Sequence, residues 1–122
     1  IEAATNLMQK IGIEGIANKK ISQVSGGQLQ RAGICRALIN NPKILFADEP
    51  TGALDSGTTK DVLNLFSTFH KEGKTIVMVT HDINVAATSQ RVLFMKDGLL
   101  IHDVSLGDDV NENLSKLKAV QY

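Results

Sequence analysis

Hydrophobic residues at the start of the chain recur with the spacing of helices. Residues 1–10 carry an apolar stripe at helical intervals, and Gly12 ends that pattern. A second helix is predicted from Gly26 to about Ile39, with Ser25 as its N-cap. Pro42 follows shortly afterwards and cannot continue a helix. The pattern therefore predicts two helices before any strand.

The middle of the chain reads as strand, helix and strand. Residues 44–47 form a continuous apolar run, which predicts a strand buried on both faces of a sheet. An amphipathic helix is predicted from about Ser56 to Glu72, closed by Gly73. A second apolar run covers residues 75–80. A connection of this length makes a βαβ unit, so we expect the two strands to be parallel.

The last third of the chain predicts a hairpin. A short helix from Asp82 to about Ser89 leads to a strand over residues 91–96. Asp97 and Gly98 are a two-residue hairpin signal, and residues 99–101 return antiparallel to that strand. The polar tail from Asp108 onward is expected to be weakly helical at best.

Composition narrows the class of protein without identifying it. The 122 residues suffice for one domain, and 13 basic residues balance 13 acidic ones, so charge gives no reason to expect nucleic acid as a partner. The single cysteine, Cys35, excludes an intrachain disulfide and gives no support for a thiolate zinc site. No apolar run approaches the roughly 20 residues of a membrane helix.

Two adjacent carboxylates end the first predicted strand. Ligands of open parallel sheets bind beyond the carboxyl ends of the strands, where Asp48 and Glu49 lie. Because adjacent strand residues point to opposite sides, Asp48 could hold Mg²⁺ while Glu49 accepts a proton from an attacking water. Pro50 is expected to push the backbone of Glu49 toward extended geometry. The alternative for this triplet alone is a solvated exit from the strand.

Two further features could bind phosphate. His81 follows the second predicted strand, where its imidazole could bond a phosphate oxygen or position a water; taken alone, it could equally be a surface residue. Gly26 and Gly27 open a helix, where free N–H groups and the helix dipole favour an anion. The simpler alternative is that Ser25 caps the helix and the glycines turn the chain. A second glycine in the first turn, however, costs about 1 kcal/mol of helix stability relative to alanine. This cost favours a use for the second glycine beyond turning the chain.

Four stretches of the chain follow one another as VSGGQ, ILFADE, GALDS and TIVMVTHD. In this order they resemble the signature motif, the Walker B strand, the D-loop and the switch histidine in the C-terminal half of ATP-binding cassette (ABC) ATPases. The resemblance covers about Gln23 to Gly98 and is closest to cassettes of macrolide, lipoprotein and antimicrobial-peptide exporters. It implies an α/β fold: part of a P-loop NTPase-type parallel sheet flanked by helices, with the signature helix near the N-terminus and a C-terminal β-hairpin.

The resemblance implies a role for each matching residue. In such ATPases two cassettes face each other, and each ATP lies between the P-loop of one and the signature motif of the other. By this resemblance Asp48 would serve Mg²⁺ and Glu49 would be the catalytic base. Asp55 would communicate across the dimer, and His81 would contact the γ-phosphate. The residues that would touch ATP held by the partner cassette are Ser25, Gly26, Gly27 and Gln28.

The sequence departs from the family pattern in one large respect. It contains no G-x-x-x-x-G-K-[ST] P-loop, no preceding aromatic residue for adenine and no recognisable Q-loop glutamine, and Val24 replaces the usual leucine of the signature. We therefore expect the later half of a cassette, inactive alone: one partial domain over residues 1–122. Its expected parts are a helical signature region (1–41), a catalytic core (42–104) and a tail (105–122). Unpaired strand edges and apolar area in such a half predict self-association.

The function implied by the resemblance is that of an ABC transporter's ATP-binding subunit, which couples ATP hydrolysis to export. Its partners would be a second cassette and a membrane-spanning permease. Through that permease the protein would lie at the cytoplasmic face of the cell membrane. The alternative is a non-catalytic truncated fragment that acts as an interaction or oligomerising module. The ATPase head of a chromosome-maintenance protein would need flanking heptad segments, and none appear.

Overall fold

The structure is a computed structural model that describes residues 2–13, 15, 26–52 and 54–120. By contacts the chain divides into two compact units, Ile1–Val79 and Thr80–Tyr122. Within the described ranges no helix has both the length and the hydrophobicity to cross a membrane. The expected boundaries at residues 41 and 104 stay a prediction.

The first unit alternates helices and strands in the predicted order. Its two strands form a parallel pair, in which Phe46 lies opposite Val77. The parallel βαβ arrangement expected from the apolar runs is therefore confirmed. The elements are α1 (Glu2–Ile11), α2 (Gly26–Leu38), β1 (Ile44–Asp48), α3 (Ser56–Lys71) and β2 (Thr75–Val79).

Glycines and a capping aspartate set the helix ends of this unit. Gly12 follows α1 with a φ of 84°, and Gly73 follows α3 with a φ of 99°, so both adopt the left-handed backbone that glycine tolerates best. At the start of α3 the side chain of Asp55 accepts a hydrogen bond from the amide of Thr58 at 2.8 Å. The predicted ends of both helices are correct to within a residue or two.

The core of the first unit lies between the helices and one face of the sheet. Val62 and Phe69 of α3 are almost completely excluded from solvent and pack in a cluster with Leu45 of β1. Leu7 and Met8 of α1 pack against this cluster as partly buried residues. The stripe predicted on α1 is thus used for packing.

The opposite face of the sheet is exposed, which corrects the prediction for β1. Phe46 is 76% exposed, whereas Leu45 beside it is 6% exposed. Among the described residues of this unit, the helices form their buried core with the face that carries Leu45, so the prediction of burial on both faces is wrong in this structure. The same face also exposes Ile44, Val77 and Val79.

The second unit is a hairpin between two helices. Asp97 and Gly98 both have positive φ, at 51° and 76°, as a type I′ turn requires. The return strand is longer than the sequence predicted, and its pairing shifts register between Phe94 and Met95. The elements are α4 (Ile83–Ala86), β3 (Arg91–Lys96), β4 (Leu99–Ser105) and α5 (Val110–Lys118).

The C-terminal tail contains a regular helix, so the expectation of weak helicity is wrong. Asp109 caps α5 by accepting hydrogen bonds from the amides of Asn111 and Glu112. Leu117 is 2% exposed, and the side chain of Asn113 is buried among backbone groups of the same unit. Capping and burial together stabilise a helix whose surface composition is polar.

Candidate functional site

Asp48 lies at the carboxyl end of the parallel sheet. It is the last residue of β1 and stands opposite Val79 in the register of the two strands. Its side chain is exposed and lies on the sheet face that carries Phe46, because alternate strand residues share a face. A carboxylate here is open to a ligand approaching beyond the strand ends.

Glu49 leaves the strand with an unusual backbone. Its φ is 48°, in the left-handed region, although Pro50 was expected to favour extended geometry. The expectation is wrong because hydrogen bonds hold this peptide on both sides. The Glu49 amide donates to the carbonyl oxygen of Val79 at 2.8 Å, and the amide of Gly52 donates to the carbonyl oxygen of Glu49 at 3.1 Å.

The two carboxylates have different surroundings. Asp48 is exposed, whereas Glu49 is half-buried and its Oε1 atom is fully buried. This difference follows from the strand alternation and from the turn at Glu49. The geometry permits the division of labour considered from the sequence, with one carboxylate open to a cation and the other held in a protected position.

The start of α2 is a helix N-terminus that begins with two glycines. Gly26, Gly27 and Gln28 form its first turn, which contains no acidic side chain to compete for the amides. Ser25 falls outside the described residues, so its predicted capping role stays a prediction. A Cβ added at Gly26 would come no closer than 3.6 Å, to a side-chain carbon of Leu54. Packing within the described chain therefore does not require glycine at this position.

Asp55 already has a structural task. Its carboxylate caps α3, and the hydrogen bonds from the amide and hydroxyl of Thr58 hold the pKa of Asp55 below its usual value. The side chain remains exposed. Asp55 therefore caps the helix while it stays open to solvent, and its predicted role across a dimer stays a prediction.

His81 lies in the second unit, between β2 and α4, and is exposed. The residues on either side shape this turn: the Asp82 amide donates to the hydroxyl oxygen of Thr80 at 3.0 Å. Asp82 then caps α4 by accepting from the amide of Asn84 at 2.8 Å. The imidazole is thus presented at a turn that its neighbours organise.

A magnesium ion would need ligands beyond those of the protein. Among the described residues, no group of three or more His, Cys, Asp or Glu side chains is arranged to hold a metal ion. Mg²⁺ is usually held by one or two carboxylates, with phosphate oxygens and waters completing the octahedron. An exposed carboxylate such as Asp48 fits that mode of binding, and a closed protein cage does not.

Gly52 is a site residue that the sequence analysis missed. A Cβ placed on Gly52 would lie 3.5 Å from the carbonyl oxygen of Glu49 and 3.8 Å from its Oε2 atom. The turn at Gly52 therefore forms one wall beside the Glu49 carboxylate. The short spacing between Glu49 and Gly52 in the sequence could have indicated this turn.

Comparisons with known proteins identify the family to which this chain belongs. Residues 2–52 match the model of a family described as ABC transporter. The macrolide export ATP-binding/permease protein MacB of Mannheimia succiniciproducens is 47% identical over 119 residues, which cover 95% of this chain and 18% of that protein. The chain belongs to the ABC transporter family of ATP-binding domains. The resemblance seen in the sequence, including its closeness to macrolide exporters, is confirmed.

Other relatives of this ABC domain match at similar levels. The uncharacterized ABC transporter ATP-binding protein YvrO of Bacillus subtilis is 46% identical over 102 residues, covering 84% of this chain and 44% of that protein. The bacterial ABC transporter cassette MJ0796, solved as a dimer, aligns with a TM-score of 0.75 at 44% identity. That alignment covers 87% of this chain and 47% of the cassette.

The fold class is supported by a more distant structure as well. The ADP conformation of the cassette MJ1267 aligns with a TM-score of 0.84 at 24% identity over 96% of this chain, a likeness that concerns the fold alone. The α/β class predicted from the sequence is confirmed. The chain spans about half the length of these solved cassettes, 46% of MJ1267 and 47% of MJ0796.

Proposed function

We propose that this ABC domain contributes the signature helix and the catalytic carboxylates to an ATP-hydrolysing cassette that drives export. The observation that carries the proposal is the end of β1, where an exposed Asp48 is followed by a half-buried Glu49 fixed by backbone hydrogen bonds. The cassette MJ0796, which is 44% identical to this chain, has also been solved in a post-hydrolysis state bound to ADP and Pi, and this supports hydrolysis as the reaction.

The proposed roles follow the surroundings of each side chain. Asp48 contributes a carboxylate to Mg²⁺, and Glu49 accepts the proton of the attacking water. Bound Mg²⁺ would neutralise charge on the phosphates. The first turn of α2, from Gly26 to Gln28, together with Ser25, faces the phosphates of ATP held by a second cassette.

The remaining roles concern communication and partners. His81 contacts the γ-phosphate, and Asp55 transmits the state of one site to the other across the dimer. The partner cassette is supported by the dimeric structure of MJ0796. A membrane permease as partner is supported by the relatives that are ATP-binding/permease proteins. Through that permease we place the domain at the cytoplasmic face of the membrane.

A chimera tests the base role directly. The 102 residues of this chain that align with the YvrO protein would replace the matching segment of that protein. The chimera should hydrolyse ATP in the presence of Mg²⁺, and Glu49→Gln should reduce kcat by at least about a hundredfold while ATP binding is retained. Glu72→Gln, an exposed glutamate of the same segment, is the matched control. Equal hydrolysis by both variants would remove Glu49 from the base role.

Titration of the 122-residue chain alone with Mg-ATP complements the chimera. We expect neither saturable micromolar binding nor hydrolysis, because these 122 residues contain no P-loop sequence to bind the phosphates of ATP. Tight binding in calorimetry would contradict that assignment.

A second candidate function is that of an interaction module that associates with copies of itself. The exposed face of the β1–β2 sheet favours it, because Phe46 is 76% exposed and its neighbour across the strands, Val77, is 44% exposed. Sedimentation velocity should show concentration-dependent association that Phe46→Ser weakens. Val110→Ser, which alters an exposed apolar residue of α5, should leave it unchanged. A monomer at every concentration would exclude this function.

A further inference from the structure

Glu49 differs in kind from the other residues with left-handed backbone. Among the described residues other than glycine, positive φ occurs at Asn41 (51°), Glu49 (48°) and Asp97 (51°). Asn and Asp tolerate this region because their short polar side chains can hydrogen-bond to the nearby backbone. Glutamate has no such advantage, and its Cβ is crowded against the backbone in this conformation. The strain therefore concentrates at the candidate base.

The hydrogen bonds of Glu49 explain why the strain persists. Its amide is bound to the last carbonyl of β2, and its carbonyl is bound to the amide of Gly52. Rotation of φ to a negative value would turn the Glu49 peptide away from Val79 and open the end of the strand pair. The surrounding backbone therefore fixes a conformation that glutamate alone would avoid.

The same backbone sets the direction of the side chain. Oε1 of Glu49 is buried, and Oε2 lies beside the open space left by Gly52, 3.8 Å from where a Cβ would be. We propose that the fold maintains backbone strain at Glu49 in order to direct its carboxylate into the turn formed with Gly52. The chain would therefore be more stable with glycine than with alanine at this position. The purpose of the strain rests on the proposed base role, whereas its existence does not.

The test compares two variants that differ only at Cβ. Glu49→Gly and Glu49→Ala both remove the carboxylate with all its contacts, and urea unfolding of the 122-residue chain measures their stabilities. At ordinary φ alanine is the more stable of such a pair, because glycine gains entropy in the unfolded chain. Here we expect the reverse, with the unfolding constant of Glu49→Gly about fivefold lower than that of Glu49→Ala.

Two pairs elsewhere in the chain serve as controls. Glu72 has the same side chain with a φ of −81°, so Glu72→Ala should be more stable than Glu72→Gly. Asp97 shares the left-handed backbone of Glu49, so Asp97→Gly should be more stable than Asp97→Ala. The proposal is overturned if Glu49→Ala equals or exceeds Glu49→Gly in stability while both control pairs keep their expected order.

A second comparison applies where the alanine variant fails to fold. Glu49→Asn should then be more stable than Glu49→Gln, because asparagine tolerates left-handed backbone and glutamine does not; the opposite order would overturn the proposal. These measurements record stability alone. A failure of the strain proposal is therefore distinguishable from a failure of the base role, which the hydrolysis of the chimera tests.

Discussion

Replacement of Asn113 by leucine should destabilise the second unit through lost hydrogen bonds rather than lost volume. The side chain is 3% exposed, and it joins α5 to two other segments. Its Nδ2 donates to the carbonyl oxygens of Ala87 at 3.0 Å and Gly107 at 2.7 Å, while its Oδ1 accepts from the amide of Gly107 at 2.9 Å. Leucine has a similar volume but satisfies none of these three groups.

The expected loss of stability depends on whether the three backbone groups that lose Asn113 can bind water instead. The bond to Ala87 is buried, so its carbonyl loses a partner where water does not reach and carries the full penalty of about 1–3 kcal/mol. The two groups of Gly107 lie in a partly buried loop and recover part of their bonding from water. The sum for Asn113→Leu is about 2–4 kcal/mol.

Urea unfolding followed by far-ultraviolet circular dichroism measures this loss. Asn111→Leu is the matched control, because Asn111 is exposed on the same helix and the same change from asparagine to leucine raises the helix propensity there equally. The control should change stability by no more than about 0.5 kcal/mol. Equal effects of the two substitutions would refute the assignment of a structural role to the buried amide.

Two further outcomes follow from the backbone and from the ion pairs. Gly73→Ala should lower the melting temperature, because Gly73 has a φ of 99°, whereas Gly52→Ala should leave it nearly unchanged, because an added Cβ there meets nothing closer than 3.5 Å. The hydrogen bonds from Arg91 lower the pKa of Asp103 from its usual 3.8. The stabilisation from this ionised carboxylate is therefore complete above pH 3.8 and is lost as the pH falls through the lower folded-state pKa; Asp103→Asn should remove that part of the acid dependence of the urea midpoint.

The tail shows how a helix can be missed although its signals are present. Asp109, with Glu112 three residues later, has the pattern of a capping box. Lys116 and Lys118 lie in the last turn, where the helix dipole favours positive charge. The polar composition outweighed these signals in the sequence analysis. Burial of Asn113 also stabilises the helix, and no local pattern distinguishes a buried asparagine from an exposed one.

The apolar runs predicted the strands and their parallel pairing but not their exposure. A continuous run such as residues 44–47 makes both faces of the strand apolar, because alternate residues point to opposite faces. Whether each face is covered depends on what else packs against the sheet. Among the described residues of the first unit, the buried core between helices and sheet includes Leu45 but not Phe46, which is left exposed.

The position of Glu49 could be predicted from its neighbours in the sequence, but its backbone conformation could not. The order of Asp48 and Glu49 at the end of an apolar run sufficed to predict two carboxylates at the carboxyl end of the strand. The left-handed backbone of Glu49 did not follow from its neighbours, because Pro50 favours another conformation and the acceptor that prevails, the carbonyl of Val79, belongs to a strand far along the chain. The direction of the carboxylate is thus a property of the pairing between β1 and β2. A change that shifts this register should disturb Glu49 even when its own triplet is intact.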